Sequence, residues 1–189
     1  MNQDSTDEHL MLRYRDGDTR AFELLYTRHK GSLYRYLLRQ CSDAAVAEEL
    51  FQDIWLKVIN ARSRYTVKAK FSTYLYHLAH NRLIDHYRTQ QGRGIPASYT
   101  DSEQIDPEQL ASSETQQPEN ISLRQQQAEH LLNALAELPE AQRETFLLKA
   151  EGGLSLDEIA TATAVNRETA KSRLRYAVSR LKTLLGAQP

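Results

Sequence analysis

Basic and aromatic side chains are interleaved through residues 61–88 of the sequence. Cations neutralise phosphates, and aromatic rings stack on unpaired bases at about 1–3 kcal/mol each. The mixture therefore favours single-stranded or melted nucleic acid over intact duplex. Part of these rings, Phe71 first among them, are expected to be core residues instead. The aromatics concerned are Tyr65, Phe71, Tyr74, Tyr76 and Tyr87.

A second basic segment follows a helix-turn-helix pattern near the C-terminus. Ser155-Leu-Asp-Glu158 is a capping-box sequence that predicts a short helix. The turn falls at 163–165, and Asn166 can cap a long helix that ends near Leu185. This geometry places the second helix in the major groove of duplex DNA. An ordinary helical hairpin with a solvated basic face remains the alternative interpretation of this segment, because Ala164 stands where helix-turn-helix motifs often carry glycine.

The distribution of charge agrees with two nucleic-acid surfaces, although the formal net charge is −1. Residues 61–93 contain seven basic side chains against one acid, and residues 166–182 contain six against one. Between them, residues 94–122 carry six acids and no lysine or arginine. Clusters of like charge raise the local potential and attract polyanions, which a whole-chain average hides.

Other classes of protein fit the sequence poorly. No paired carboxylates, nucleophile–base pair or glycine-rich phosphate loop stands at a suitable spacing, so an all-helical enzyme is disfavoured. His77, His80 and His86 have no acidic or cysteine partner at ligand spacing, and we expect no metal and no cofactor. Cys41 is the single cysteine. There is no run of eighteen apolar residues and the N-terminus is acidic, so we expect a cytoplasmic protein without membrane insertion.

The acidic segment also divides the chain. Residues 94–122 contain Pro96, Pro107 and Pro118 and isolated apolar residues, which predicts a flexible linker. Both flanks show helical periodicity and no convincing strand alternation, so we predict an all-α fold of two small domains. The domains span residues 1–92 and 122–189, with 93–121 between them.

Individual helices can be placed from caps and apolar stripes. Asp18 is predicted to cap one helix, Ser72 to open another and Ser122 to begin the first helix after the linker. Pro139 is predicted to start the next, which Gly152-Gly153 ends. The clearest stripe comprises Val46, Ala47, Leu50, Phe51, Ile54, Trp55, Val58 and Ile59.

Three stretches in order resemble the extracytoplasmic-function sigma factors, the smallest class of the sigma-70 family. Residues 47–58 resemble the helix that docks on the β′ clamp of RNA polymerase, and residues 71–88 the segment that opens and reads the −10 promoter element. Leu138-Pro-Glu140, residues 153–160 and residues 169–174 resemble the helix-turn-helix that reads the −35 element. The resemblance covers roughly residues 8 to 185 and implies an RNA polymerase sigma factor.

The resemblance assigns a role to each surface. Polymerase is expected to bind the side opposite the apolar stripe, at Glu49, Gln52 and Asp53. The −10 DNA is expected at Lys68, Lys70, Phe71, Ser72, Thr73, Tyr74, Asn81, Arg82, Asp85 and Arg88. The −35 DNA is expected at Asn166, Arg167, Thr169, Lys171, Ser172, Arg173, Arg175 and Tyr176. Arg82 also falls in the apolar register, so a partly buried structural cation is the alternative there.

The implied partners are core RNA polymerase, through its β′ clamp and β flap, promoter DNA and an anti-sigma factor. Tyr74 and Tyr176 stand where the family often has tryptophan and arginine, which bears on the promoter sequence read. The alternative function is a conventional helix-turn-helix regulator that binds duplex DNA without polymerase. That alternative leaves the loop around Lys70 and the Glu49–Asp53 face unexplained.

Overall fold

The computed structural model describes residues 5–92 and 118–186, with the backbone alone at 91–92 and 118–125. Within these ranges the chain forms eight α-helices and one short 3₁₀ turn, with no strand. The helices are α1 (Asp7–Arg15), α2 (Thr19–Cys41), α3 (Ala44–Asn60), α4 (Phe71–Gly92), α5 (Pro118–Ala136), α6 (Glu140–Ala150), α7 (Leu156–Ala162) and α8 (Arg167–Gly186), and the turn is Arg62–Arg64. The predicted all-α fold is confirmed.

Several helices begin where a side chain accepts the unpaired N–H groups of their first turn. Asp18 accepts from Arg20 and Ala21 at the start of α2, as predicted. Asp43 does the same for α3. The Ser155 capping box is complete, with both reciprocal hydrogen bonds formed. These local signals are readable in sequence because cap and helix are neighbours in the chain.

Two helices begin elsewhere than predicted. The helix assigned to a Ser72 start begins one residue earlier, at Phe71. The helix assigned to a Ser122 start begins at Pro118, inside the segment interpreted as linker. Proline suits the first helical turn because it lacks an N–H that would go unpaired there. The remaining part of that segment, residues 93–117, lies outside the described residues.

The first half of the chain, residues 5–92, buries one side of each of its helices. Leu25, Leu37, Leu50, Ile54 and Leu75 are fully buried at its centre. A network of aromatic rings surrounds them, with edge-on and tilted contacts and 4.7–6.3 Å between ring centroids. Its members are Tyr14, Phe22, Tyr26, Tyr34, Phe51 and Trp55. Such pairs contribute beyond their buried area. The apolar stripe predicted for α3 is the side that is buried.

The second half, residues 118–186, packs α6, α7 and α8 around Leu147, Leu148, Ile159 and Leu181. It also lies directly against the first half, where α6 contacts α2 and α7 contacts α4. The two cores form one continuous buried cluster. Gly152 marks the closeness of this approach, because a Cβ atom there would lie 3.0 Å from a ring carbon of Tyr76.

Three glutamates of the second half, spaced seven residues apart, pair with basic or hydroxyl side chains of the first half across this interface. Glu144 accepts hydrogen bonds from the Tyr36 hydroxyl at 2.9 Å and pairs with His80 Nδ1 at 2.7 Å. Glu151 forms ion pairs with Arg35, at 2.8 Å, and with Arg39. Glu158 pairs with Lys70 at 2.8 Å. We call these residues the three interface glutamates.

Cys41 lies at the end of α2, close to the same interface. The thiol is partly buried, and burial raises its pKa to about 12. The charges of Arg143 and Glu140 on α6 also act on it. The thiol is therefore protonated at neutral pH.

Candidate nucleic-acid interface

A cavity of about 420 Å³ opens where the loop before α4 meets the first turns of that helix. The loop contributes Tyr65, Lys68 and Ala69, and α4 contributes Thr73 and Tyr74. Thr161 of α7 reaches its rim from the second half. A cation beside aromatic rings and a concave wall suits an unstacked base with its phosphate.

The predicted −10 residues at this cavity differ in how exposed they are. Phe71 is fully buried and Thr73 is 2% exposed, so both serve the core in this arrangement. Lys68 is exposed, Ser72 and Tyr74 are partly buried, and the Tyr74 ring packs between those of Tyr65 and Phe71. The expectation that part of the aromatics are core residues is thus met at Tyr65, Phe71 and Tyr76, each 6% exposed or less.

Lys70 is exposed, yet its ammonium group is held by Glu158 of α7. The hydrogen bond from Lys70, then the Ser155 backbone N–H, holds the pKa of Glu158 below its usual range. The same hydrogen bond raises the pKa of Lys70. A carboxylate of the helix-turn-helix therefore pairs with this lysine across the two halves.

Further along α4, the four remaining −10 candidates divide into bound and free side chains. Arg82 is engaged by two carboxylates of α3, at 2.8 Å from Asp53 and 3.1 Å from Glu49. Asn81 lies 3.0 Å from His77, whose other ring nitrogen lies 2.9 Å from the Ala162 carbonyl of α7. Asp85 and Arg88 are exposed.

The outer side of α3 carries the three predicted polymerase contacts. Glu49 is 65% exposed and Asp53 39% exposed at their side chains, and Gln52 is exposed. Asp53 is not independent of the rest of the fold, because it holds Arg82. Leu56, one turn beyond Gln52, is 53% exposed. The sequence analysis did not single out Leu56, which lies outside the apolar stripe on the same outer side of α3 as the three candidates.

The helix-turn-helix is formed by α7, a tight turn and α8. Val165 N–H donates to the Ala160 carbonyl at 3.0 Å, and Ala164 adopts a φ of 53°, in the left-handed region. Asn166 Oδ1 accepts from Thr169 N–H at 2.7 Å and caps α8, as predicted. A left-handed residue is what this turn needs, which explains why glycine is common there.

The predicted −35 residues lie on the first three turns of α8, most of them on the side that points away from the core. Ala170, Ala177 and Leu181 are buried on the inner side. The outer side carries Asn166, Arg167, Lys171, Arg175 and Tyr176 exposed, with Thr169, Ser172 and Arg173 partly buried. Tyr176 is 54% exposed, and the Arg175 guanidinium lies 5.0 Å from its ring centre.

Comparison with known proteins decides the family. Residues 25–93 match the family described as Sigma-70 region 2, and residues 128–181 match Sigma-70, region 4. The RNA polymerase sigma factor CarQ of Myxococcus xanthus is 34% identical over 185 residues, which cover 93% of this chain and 95% of CarQ. The chain belongs to the extracytoplasmic-function sigma factors of the sigma-70 family.

Other sigma factors match over similar lengths. The ECF RNA polymerase sigma-E factor of Escherichia coli is 29% identical over 178 residues, covering 92% of this chain and 91% of its own. RNA polymerase sigma-H factor of Pseudomonas aeruginosa is 28% identical over 170 residues, covering 89% and 88%. The chain is thus an RNA polymerase sigma factor, a transcription initiation factor, rather than a conventional helix-turn-helix regulator.

Two solved structures share the fold of this sigma factor. CnrH, solved in complex with the cytosolic domain of CnrY, superimposes with a TM-score of 0.69 at 20% identity, covering 98% of this chain and all of that one. Sigma factor RpoE of Bartonella quintana, solved with the anti-sigma factor NepR, gives 0.70 at 22% identity, covering 90% and 99%.

The described part of the sigma factor offers no cluster of side chains able to hold a metal ion. In the same residues, 5–92 and 118–186, no helix is long and apolar enough to cross a membrane.

Proposed function

We propose that this sigma factor divides promoter recognition between its halves. The cavity between the loop and α4 holds unpaired −10 DNA, α8 reads duplex −35 DNA, and the outer side of α3 binds core RNA polymerase. The chain itself catalyses no reaction and acts in the cytoplasm, where polymerase works.

The observation that carries the −35 assignment is the two-sided character of α8. Its inner side is fixed by buried alanine and leucine, so the cations of the outer side are presented on a rigid helix. Arg167 pairs with Asp157 at 3.0 Å, and Lys171 lies 3.9 Å from Glu168. Exposed pairs of this kind are worth about 0–1 kcal/mol, so DNA phosphates or base edges can replace them.

The −10 assignment requires the halves to separate. The Glu158 carboxylate is paired with the Lys70 ammonium group, and Thr161 of α7 lines the cavity. A DNA strand that enters the cavity therefore has to displace α7. The outer side of α8 needs no such movement, because Asn166, Arg167, Lys171, Arg175 and Tyr176 are exposed already. We propose that binding to polymerase draws the halves apart and that an anti-sigma factor holds them in an inactive state. Sigma factor RpoE of Bartonella quintana, which shares the fold, was solved with the anti-sigma factor NepR.

The −35 proposal is tested with Lys171→Ala in run-off transcription by reconstituted polymerase and in duplex binding. If Lys171 reaches a base edge, its loss costs about 1–3 kcal/mol and relaxes sequence choice at one position. If it touches phosphate alone, affinity falls similarly for every sequence and the salt dependence becomes shallower. Lys149→Ala on α6 is the matched control, since Lys149 is an exposed lysine away from α8. Equal behaviour of the two variants would remove α8 from the interface.

The polymerase proposal is tested at Leu56, because Asp53→Arg would also set two cations against each other at Arg82. Leu56→Ser is expected to weaken capture by core polymerase about tenfold, the effect of losing a side chain that becomes buried near the centre of an interface. Leu24→Ser on α2 is the control, since Leu24 is similarly exposed at 42%. Both variants should keep the melting temperature of the parent. Undiminished capture of Leu56→Ser would place the docking surface elsewhere.

A further inference from the structure

The start of α4 is capped from another helix. The first four N–H groups of a helix lack partners inside it, and the side chain of the preceding residue usually accepts from the second or third of them. Lys70 holds that preceding position, as its carbonyl accepts from Tyr74 N–H at 3.1 Å, but a lysine side chain has no acceptor. The Phe71 N–H donates instead to Glu8 Oε1 of α1 at 2.6 Å, across 63 residues of chain.

Glu8 stands on a firmly held helix. Its neighbour Asp7 pairs with Arg28 at 2.7 Å and with His29 at 2.6 Å, which fastens α1 to α2. The His29 ring in turn lies 5.3 Å from that of the buried Phe71. A carboxylate at a helix N-terminus also interacts favourably with the helix dipole. The position of the first turn of α4 is therefore fixed by α1.

The negative charge of Glu8 contributes to the raised pKa of groups on both sides of the junction between the loop and α4. Burial, and then the negative charge of Glu8, raises the pKa of Tyr65 to about 12. The charge of Glu8 also adds to the raised pKa of Lys70. Tyr65 lines the cavity from the loop, and Thr73 and Tyr74 line it from α4, whereas Glu8 is not among its lining residues.

We propose that Glu8 is a positioning residue for single-strand recognition. Its carboxylate fixes the junction at Lys70 and Phe71, and so the relative placement of the two walls between which an unpaired base is held. The inference rests on the proposed −10 role of the cavity and adds to it a residue far away in sequence. Without the cap the first turn frays, and the bound geometry is populated for a smaller fraction of the time.

The experiment compares Glu8→Ala, Glu8→Gln and Asp18→Ala in the full chain, with DNA affinities measured on the chain bound to core RNA polymerase, because the cavity takes a strand only when the halves have separated. Glutamine keeps an oxygen that accepts from Phe71 N–H, whereas alanine does not. Asp18→Ala removes a carboxylate cap of the same kind from α2, which does not line the cavity. The probes are a fluorescein-labelled single strand, selected by the parent chain in the same complex from a random pool, and a duplex selected in the same way.

Glu8→Ala is expected to weaken single-strand affinity about fivefold, the change that one lost helix cap makes, and to leave duplex affinity unchanged. Glu8→Gln should retain most of the affinity. Asp18→Ala should lower the melting temperature similarly without changing either affinity. The amide proton of Phe71 should move upfield in Glu8→Ala in NMR spectra, and stay near its place in Glu8→Gln.

Two results overturn the inference while the proposed function stands. One is unchanged single-strand affinity in Glu8→Ala, and the other is an equal loss in Asp18→Ala, which would reveal a general effect of stability. If the parent chain selects no single strand at all, alone or with core polymerase, the proposed −10 role fails and the inference fails with it.

Discussion

Ala164 is the residue at which the backbone of the helix-turn-helix departs most from what its side chain prefers. Its φ of 53° lies in the left-handed region, which costs a residue with a Cβ atom about 1 kcal/mol relative to glycine. The sequence already raised this position, because glycine is common in such turns. The structure shows that alanine adopts the same conformation rather than changing the turn.

Ala164→Gly is therefore expected to raise the free energy of unfolding by about 1 kcal/mol. Urea denaturation followed by circular dichroism measures it. Ala128→Gly in the interior of α5 is the control of opposite sign, because glycine inside a helix costs about 1 kcal/mol. A loss of stability at Ala164 as large as that at Ala128 would mean that the turn is not left-handed in solution.

At the scale of one element, α7 depends on a single carboxylate with two tasks. Glu158 closes the capping box by accepting from the Ser155 N–H at 2.7 Å, and it also holds Lys70. Both interactions favour the ionised form and lower its pKa. Since the pKa in the folded chain is below that in the unfolded chain, the stabilisation is fully present above the unfolded value and is lost as the pH falls through the folded one.

Glu158→Gln should consequently be less stable than the parent at neutral pH, and the difference should shrink below about pH 4.5 as the parent carboxylate becomes protonated. Unfolding free energies of both chains between about pH 7 and pH 3 supply the test. A gap between parent and Glu158→Gln that stays constant with pH would contradict the pairing.

The elements also show what sequence could and could not supply. Caps at Asp18, Ser155 and Asn166 were predicted because donor and acceptor lie within three residues of each other. The Glu8 cap of α4 was not, since nothing local marks a partner 63 residues away. The same holds for Arg82, whose two carboxylate partners on α3 depend on how two helices pack. Contacts between residues close together in the sequence could be predicted, whereas contacts between residues far apart in the sequence could not.

At the scale of the whole molecule, the interface glutamates hold two halves that the sequence presents as separate domains. Glu151 is the most enclosed of the ion pairs there, with 8% of its side chain exposed between Arg35 and Arg39. Removing Glu151 would leave the partly exposed guanidinium groups of Arg35 and Arg39 side by side without their shared partner. The halves are therefore most readily separated at this point.

Glu151→Lys would place a third cation beside Arg35 and Arg39 and should drive the halves apart while each keeps its helices. Small-angle X-ray scattering should show a larger radius of gyration, with the circular dichroism of the parent. Glu137→Lys, the same charge reversal at an exposed site on the second half, should leave the radius unchanged. An unchanged radius for Glu151→Lys would show that this ion-pair group does not hold the closed arrangement.

The chemical reactivity of the single thiol, Cys41, depends on whether that same interface is closed or open. Alkylating and disulfide reagents attack the thiolate, and a pKa of about 12 leaves almost none of it at neutral pH. When α6 moves away and water reaches the end of α2, the pKa falls towards about 8.5 and the sulfur becomes reactive. The rate at which the Cys41 thiol is labelled then reports on the opening of the interface. Amide hydrogen exchange reports on local unfolding in the same way. Because the chain has one cysteine, the labelling reports on this opening without an engineered thiol, and a partner that opens or closes the interface would speed or slow the reaction.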